Sequence, residues 1–484
     1  MRARATVLAV VAGMAAAGLA VTPAAAAPDL EWSECAPELN APRGTGCATI
    51  DVPLDYEDSS GEQITLTLSA AGSLDAPEAL VVNPGGPGES GIGTPKQIWS
   101  SLPPEVSSQY LVVGFDPRGV GASSPVDCGD TSGIFPTPLP PHEPADADQE
   151  QQRVDIARQA AEACAENSGD LLPHITTANA ARDLDRIRSA LAQDKLDYLG
   201  YSYGTKLGAT YATLFPDTTG RMVLDSVVDP TVSVYESGFQ QNNAMQKRAE
   251  QFFDWIAERD DQYHLGVTGS RVQRAWDEMA DKLEAQPAEG KVGSAALGEM
   301  LASTMYSDTS WPTLAGAVSK YRDGDASGLV SATEELGLDT VNGSQLAYNC
   351  VDGVWPTEWQ TWHDDTARSA GTAPLFAWLN TWYSASCAFW GAPPQERVEI
   401  GEGDVPPVML VQAQDDPATP AIGAHRMQET LPGSRLVLAE GGNHGQFLFE
   451  TNDCIDTPVL EYLRTGELPS ADVDCPVAPA PGAN

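Results

Sequence analysis

The feature that most limits the fold of this chain of 484 residues is an alternation of short apolar runs with amphipathic helical stretches. Apolar runs end at Val82, Phe115, Gly200 and Val228, and residues 177–192 carry apolar side chains at helical spacing. Strands that alternate with helices are joined in parallel and covered on both faces. The pattern therefore predicts an α/β protein with a mostly parallel sheet flanked by helices.

The alternation stops near Pro230 and resumes at Pro407. Between these points the apolar residues follow helical spacing, and no strand-helix alternation is visible. We therefore predict a mostly helical cap, residues 231–404, inserted between two parts of an α/β core, residues 27–230 and 405–484.

The first residues are typical of a secretory signal peptide. Met-Arg-Ala-Arg precedes an apolar run from Val7 to Val21, and small residues follow it up to Ala27. The run is short for a membrane span. We predict that residues 1–26 are removed and that the mature protein is secreted, extracellular and not embedded in a membrane.

An even number of cysteines in an exported chain predicts disulfides, and this chain has eight. Their spacing leaves the connectivity open, and pairing of neighbours is the simplest arrangement. No C-x-x-C pair is present and the histidines are scattered, so we predict neither a metal site nor another cofactor. The simplest pairs are Cys35 with Cys47, Cys128 with Cys164, Cys350 with Cys387, and Cys454 with Cys475.

The formal net charge of −41 comes from 68 acidic and 27 basic residues. Phosphate contacts need clustered Lys and Arg, so nucleic acid is excluded as a partner. Solubility outside the cell explains most of these charges, and an acidic lid that attracts cationic substrates is the alternative. The oligomeric state is left open, and a monomer is compatible with the sequence.

The pentapeptide Gly200-Tyr201-Ser202-Tyr203-Gly204 matches G-x-S-x-G. In this motif a serine sits on a strained turn between a strand and a helix, and the flanking glycines leave room for the chain. Here an apolar run precedes the motif and a helical pattern follows it, as the motif requires. We predict that Ser202 is a nucleophile; a small-residue helix start packed in the core is the alternative.

A serine nucleophile needs an imidazole base and a carboxylate that orients it, in the chain order Ser, Asp, His. Of the six histidines, His444 follows the last predicted strand on a glycine-rich loop, whereas His425 falls within a predicted helix. Asp416 follows the preceding strand and is our choice for the acid, with Asp415 as the alternative. The aspartate that is not the acid would be an ordinary loop residue or would cap the next helix. A surface-loop role for His444 would leave Ser202 without a base.

An oxyanion hole requires two backbone N–H groups aimed at the developing negative charge. One is expected from Tyr203, directly after the nucleophile, and the other from Gly86 in the Gly-rich loop after an earlier strand. An ordinary Gly-Pro turn is the alternative for that loop.

Together these segments resemble the exported tripeptidyl aminopeptidases of actinobacteria, relatives of proline iminopeptidase. The match runs from about residue 78 to Cys475 and includes the family's C-terminal hydrolase segment. Five segments carry the resemblance: Asn83–Gly88, Phe115–Gly119, Asp183–Arg188, Gly200–Thr205 and Asp416–Pro420.

The resemblance implies an α/β-hydrolase core with a helical cap that closes the substrate cleft, and a triad of Ser202, Asp416 and His444. It implies release of short peptides, often tripeptides, from a free N-terminus of a peptide substrate. Two positions depart from the family pattern: Glu89 replaces a small residue beside the oxyanion loop, and Ala418 replaces a bulkier apolar residue.

An aminopeptidase must bind an α-ammonium group, which calls for a carboxylate. Candidates are Asp352, beside a cysteine of the cap, Glu236 and Glu89; a solvated surface carboxylate is the alternative for each. An esterase, a lactonase or a proline iminopeptidase-type hydrolase would share the same triad. A non-catalytic binding protein is a third alternative, against which the intact triad argues.

Overall fold

A computed structural model of the chain describes residues 30–449 and 452–477. The predicted signal peptide therefore lies outside the described residues. Ten strands of the described chain form one sheet. They are β1 (Ser33–Glu34), β2 (Gly46–Pro53), β3 (Gln63–Ala71), β4 (Glu78–Asn83), β5 (Tyr110–Phe115), β6 (Leu196–Tyr201), β7 (Thr219–Asp225), β8 (Met409–Ala413), β9 (Arg435–Ala439) and β10 (Val473–Cys475).

The spatial order of the strands is β1-β2-β3-β5-β4-β6-β7-β8-β9-β10. The pairs from β5 through β10 are parallel, and the pairs among β1, β2, β3 and β5 are antiparallel. Because parallel strands end at the same edge, the loops after β4, β6, β7, β8 and β9 meet there. That edge carries the candidate site.

Some helices flank the sheet, and others belong to the long insertion that separates β7 from β8 in the sequence. They are α1 (Thr94–Ser101), α2 (Pro104–Ser107), α3 (Ala147–Ser168), α4 (Thr177–Ala190), α5 (Tyr203–Leu214), α6 (Val234–Ala257), α7 (Asp260–Tyr263), α8 (Gly269–Ala285), α9 (Ser294–Met305), α10 (Trp311–Arg322), α11 (Ser327–Leu336), α12 (Gly343–Val351), α13 (Trp359–Ala370), α14 (Ala377–Ser384), α15 (Ile422–Thr430) and α16 (Asp453–Thr465).

Alternate side chains of the central strands enter two apolar cores, one on each face of the sheet. In β4, Val81 belongs to the core covered by α4, α5 and α15, whereas Leu80 and Val82 belong to the core covered by α1, α2 and α16. This two-sided burial explains why β4 is a continuous apolar run. The predicted α/β-hydrolase architecture, with a mostly parallel sheet and flanking helices, is confirmed.

Helices α6 to α14 form a cap with a separate apolar core. Phe252, Phe253, Trp276, Leu301 and Phe376 are buried in it, and they come from α6, α8, α9 and the start of α14. Helix α12 joins the cap to the hydrolase core, where its own apolar side chains pack. The helical character of this insertion agrees with the sequence pattern; the domain limits at residues 230 and 404 stay a prediction.

Four disulfides tie surface segments to these cores, with S–S distances from 2.03 to 2.09 Å. They link the residue after β1 to β2, the loop before α3 to α3 itself, α12 to the segment after α14, and α16 to β10. Among the described residues, no helix is both long and apolar enough to cross a membrane. The pairs are Cys35–Cys47, Cys128–Cys164, Cys350–Cys387 and Cys454–Cys475.

Two of the family-like segments are structural. The guanidinium of Arg118 is fully buried and donates to both carboxylate oxygens of Asp183, at 2.6 and 2.7 Å, and to the carbonyls of Pro53 and Leu54. A buried charge pair needs this degree of hydrogen bonding to offset its desolvation. The pair joins the segment after β5 to helix α4.

Candidate active site

Ser202 lies on the turn between β6 and α5, with φ 55° and ψ −124°. Positive φ is strained for a residue with a side chain, and such strain concentrates at functional sites. The turn is tight at Gly200. A Cβ there would lie 2.5 Å from the carbonyl oxygen of Gly204, so the position requires glycine. The sequence GYSYG therefore forms the strand-to-helix turn that the motif predicts.

His444 and Asp416 form a buried pair at the same edge. Nδ1 of His444 lies 2.9 and 3.0 Å from the two carboxylate oxygens of Asp416. The Asp416 carboxylate is only 1% exposed, and it accepts hydrogen bonds from the amides of Ala418 and Thr419. Because these bonds fix the carboxylate, the imidazole has a fixed orientation and Nε2 is the ring nitrogen left to act.

Asp415 does not contact the imidazole. Its carboxylate is 2.5 Å from the Lys247 ammonium and accepts a hydrogen bond of 2.7 Å from Gln251, both on cap helix α6. The neighbouring aspartates thus have different contacts: Asp416 orients His444, and Asp415 binds helix α6 of the cap.

The surroundings of His444 raise its pKa. Burial alone would lower the pKa of the imidazole, but the charge of Asp416, its hydrogen bond and the charge of Asp225 outweigh burial. An opposite charge at hydrogen-bond distance favours the imidazolium. The site therefore stabilises the protonated histidine that proton transfer from a serine would generate.

Asp225, the last residue of β7, connects the nucleophile turn to the histidine loop. Its carbonyl accepts the amide of Ser202 at 2.9 Å. Its carboxylate accepts the amides of Phe447 and Gln446 at 2.7 and 3.0 Å. Burial raises the pKa of Asp225 to about 7 against the opposing effect of those amides. One buried residue therefore holds both loops in place.

The structure describes no hydrogen bond between Ser202 Oγ and His444 Nε2, and such bonds often tighten only when substrate binds. The loops that carry the two residues are nevertheless fixed to one another through Asp225. Ser226 adds a further link, because its hydroxyl accepts the amide of Gly445 at 2.7 Å.

The glycine loop after β4 packs directly on the nucleophile turn. Gly85 has φ +108°, and a Cβ there would lie 2.6 Å from the Tyr201 carbonyl oxygen and 2.9 Å from Cβ of Ser202. In the described part of the chain, the amides of Gly86 and Tyr203 donate to no other residue. Two unpaired amides beside a serine hydroxyl are what an oxyanion hole requires.

A cavity of about 710 Å³ lies between this edge and the cap. Gly86, Ser202 and Tyr203 line its floor, and residues of α6, α9, α12 and α14 line its cap side. The volume falls in the range of ligand-binding clefts. A molecule in the cavity would therefore reach Ser202 and both amides beneath the cap.

Comparison with known proteins identifies the family of this chain. Residues 78–297 match the family described as alpha/beta hydrolase fold, and residues 373–475 match the family described as TAP-like protein. The tripeptidyl aminopeptidase of Streptomyces lividans is 40% identical over 481 residues, which cover 95% of this chain and 89% of that protein. The chain belongs to the tripeptidyl aminopeptidase family of α/β hydrolases. The resemblance inferred from the motifs is confirmed.

Other members of this family carry different names. Serine protease Hip1 of Mycobacterium tuberculosis is 30% identical, and the alignment covers 92% of this chain and 91% of that protein. Carboxylesterase B of the same organism is 31% identical, over 95% and 92% of the two chains. The similarity thus extends over 92% to 95% of this chain, while the names of relatives include both peptide and ester hydrolases.

The three carboxylates suggested for a substrate amine have different surroundings. Asp352 lines the cavity, but its carboxylate already accepts the amide and hydroxyl of Thr177 and the Lys206 ammonium, the last at 2.9 Å. Glu236 is exposed at the start of α6, where it accepts the amide and hydroxyl of Ser233 as part of a capping box. Glu89 lines the cavity and is exposed.

The sequence did not single out three residues that shape the site. Asp225 sits at the end of an apolar strand, and a buried aspartate in that position was an available signal. Tyr306 and Glu299 come from the cap, and nothing in the local pattern places them near the catalytic edge. Within the described part of the chain, no group of three His, Cys, Asp or Glu side chains is arranged to hold a metal ion.

Proposed function

We propose that this chain is a secreted serine exopeptidase that releases short peptides, mainly tripeptides, from free N-termini. The observation that carries the proposal is the geometry at the sheet edge: a strained serine turn, a buried Asp416–His444 pair and two unpaired amides lie beside one cavity under the cap. The family membership and the names of the relatives support peptides as the substrate. The four disulfides support export, as the N-terminal pattern predicts.

The proposed reaction proceeds by acyl transfer. Nε2 of His444 accepts the hydroxyl proton of Ser202 as Oγ attacks the carbonyl carbon of the third residue, and the Gly86 and Tyr203 amides bind the oxyanion. The imidazolium then protonates the leaving amine, and the peptide bond breaks. Water repeats the cycle on the acyl-enzyme, which releases the tripeptide and restores the serine. Asp416 stays ionised throughout and stabilises the imidazolium.

The charge of the cavity favours a cationic substrate terminus. Five carboxylates line it, compared with the two basic side chains of Lys206 and Arg397. An α-ammonium group would enter such a field favourably, whereas a neutral ester gains nothing from it. This excess of acidic groups is the reason to place exopeptidase activity ahead of esterase activity.

Acetylation of the substrate N-terminus tests the proposal. We expect kcat/KM for an N-acetyl tripeptidyl anilide to be about 100-fold lower than for the free amine. Acetylation removes the positive charge that a carboxylate of the cavity would bind. Hydrolysis of the two compounds is compared by anilide release at one pH and salt concentration. Equal rates for both would contradict the exopeptidase and favour the esterase suggested by the carboxylesterase relative.

The pH dependence follows from the raised pKa of His444. Only the neutral imidazole accepts the serine proton, so activity should fall as the pH drops through a midpoint above about 6.5, the ordinary histidine value. The measurement is kcat/KM for a neutral-side-chain tripeptidyl anilide between about pH 5 and pH 9, with circular dichroism as the folding control. A flat profile would argue against His444 as the base.

A further inference from the structure

Helix α9 presents one face to the cavity along two turns. Glu299, Ala302, Ser303 and Tyr306 line the cavity, and they are spaced as one stripe of a helix, at positions i, i+3, i+4 and i+7. Tyr306 is the C-cap of this helix. The stripe therefore runs along the space where an enclosed substrate would lie.

The Tyr306 end of the stripe marks the catalytic centre. The carbonyl of Tyr306 accepts the amide of His444 at 2.8 Å, and the two rings make an edge contact with centroids 5.2 Å apart. No other cap residue in the described chain accepts a backbone hydrogen bond from His444. The position of α9 relative to the catalytic base is thus fixed by direct contact.

The Glu299 end carries a carboxylate that is both held in place and not neutralised by an ion pair. Its Oε1 lies 2.9 Å from Nε2 of His142, and its side chain is 28% exposed. Burial lowers the pKa of His142, so the imidazole bonds Glu299 as a neutral donor. The positive charge of Arg153 lies near this pair and also lowers the pKa of His142. Its guanidinium donates hydrogen bonds to the carbonyls of Pro140 and Pro141, not to the Glu299 carboxylate.

The other acidic groups of the cavity lack one of these two properties. Asp352 is paired with Lys206, and Asp229 is paired with Arg426 at 2.6 Å. Glu89 and Glu396 are exposed, and among the described residues neither carboxylate accepts a hydrogen bond. Among the carboxylates described for this cavity, Glu299 alone combines a fixed position with the absence of a direct Lys or Arg contact.

The separation of the two ends matches the length of a tripeptide. Seven residues of α-helix rise about 10.5 Å along the axis, at about 1.5 Å per residue. Three extended residues span about 10 Å, at roughly 3.3–3.6 Å each. A peptide lying along α9 with its third carbonyl beside His444 would place its α-ammonium at Glu299.

We propose that Glu299 binds the α-ammonium of the substrate and that the spacing from Tyr306 to Glu299 along α9 selects three-residue products. This assignment rests on the proposed exopeptidase function. His142 is a positioning residue in this scheme, since it holds the carboxylate while leaving its charge for the substrate. Glu299 lies outside all of the sequence motifs.

The test is the variant Glu299→Gln, which keeps the side-chain shape and an oxygen for His142. We expect kcat/KM for a free-amine tripeptidyl anilide to fall about 100-fold, mainly through KM, since the lost contact holds both substrate and transition state. Hydrolysis of p-nitrophenyl butyrate, which has no amine, should change less than about twofold. The preference for tripeptidyl over mono-, di- and tetrapeptidyl anilides should largely disappear.

Glu396→Gln is the matched control, because it removes one charge from the same cavity at a carboxylate without a hydrogen bond. A loss in Glu299→Gln no larger than in this control would overturn the assignment. So would equal losses for the free and the N-acetylated anilide. If the wild-type enzyme hydrolyses the free and the acetylated anilide equally well, the exopeptidase proposal itself is wrong. If wild type discriminates but Glu299→Gln behaves like the control, only the Glu299 assignment is wrong.

Discussion

Replacing Ser202 with alanine should reduce kcat for a tripeptidyl anilide by about 10⁶-fold, the loss expected when the nucleophile of a serine-histidine-aspartate unit is removed. The hydroxyl is the group that forms the acyl-enzyme. Binding should persist, because the cavity and the amides of Gly86 and Tyr203 are unchanged. The measurement is initial rate under saturating substrate, with enzyme prepared free of wild-type contamination.

Ser237→Ala is the matched control for this variant. Ser237 also lines the cavity, but its hydroxyl donates to the carbonyl of Val234 within helix α6. We expect its activity to stay within about threefold of wild type, as for substitutions that leave the catalytic unit intact. A fluorophosphonate probe should label wild type and Ser237→Ala at Ser202, and should fail on Ser202→Ala. Retained activity in Ser202→Ala would contradict Ser202 as the nucleophile. Failure of the probe to label wild type would favour a non-catalytic binding protein.

The proposed triad was accessible from the sequence because each member follows a strand. Ser202, Asp416 and His444 stand after apolar runs that were recognisable by length and flanking glycines. Parallel strands bring their carboxyl ends to one edge, so three separate motifs predict one site. The same reasoning explains why Asp415 stayed an alternative to Asp416 in the sequence analysis: adjacent loop residues differ only in where their side chains point.

The cap shows the limit of sequence reasoning. Its helices follow clear apolar periodicity, but periodicity does not give the register of a helix against a distant sheet edge. Glu299 and Tyr306 acquire their positions from contacts with His142 and His444, which come from other parts of the chain. No local pattern contains such information, so the substrate-facing residues of α9 required the structure.

Short elements at the sheet margins were also missed. Strand β1 has two residues and β10 has three, too few for an alternating pattern to be visible. Helix α3, Ala147–Ser168, begins at the end of a stretch rich in Pro and Asp, a composition typical of irregular loops. Asp146 caps that helix by accepting the amides of Asp148 and Gln149, so one of the same acidic residues starts it.

Asp416→Asn should lower kcat by about 10⁴-fold, the loss seen when the orienting aspartate of a triad becomes an amide. The side-chain amide that this substitution introduces can donate to Nδ1 of His444, which places the ring proton on Nε2 and leaves that nitrogen unable to accept from Ser202. Loss of the Asp416 charge removes the main cause of the raised His444 pKa, so the acid limb of the pH profile should shift to lower pH.

Asp415→Asn separates the two adjacent aspartates and serves as the control. Its carboxylate contacts Lys247 and Gln251 of the cap, so its loss weakens a half-exposed cap contact and leaves His444 oriented. We expect kcat to stay within about threefold of wild type, because partly exposed ion pairs contribute little. Steady-state kinetics and pH profiles of both variants decide the matter. If Asp415→Asn lost the larger share of activity, or if the acid limb of Asp416→Asn did not move, the orientation of His444 by Asp416 would be wrong.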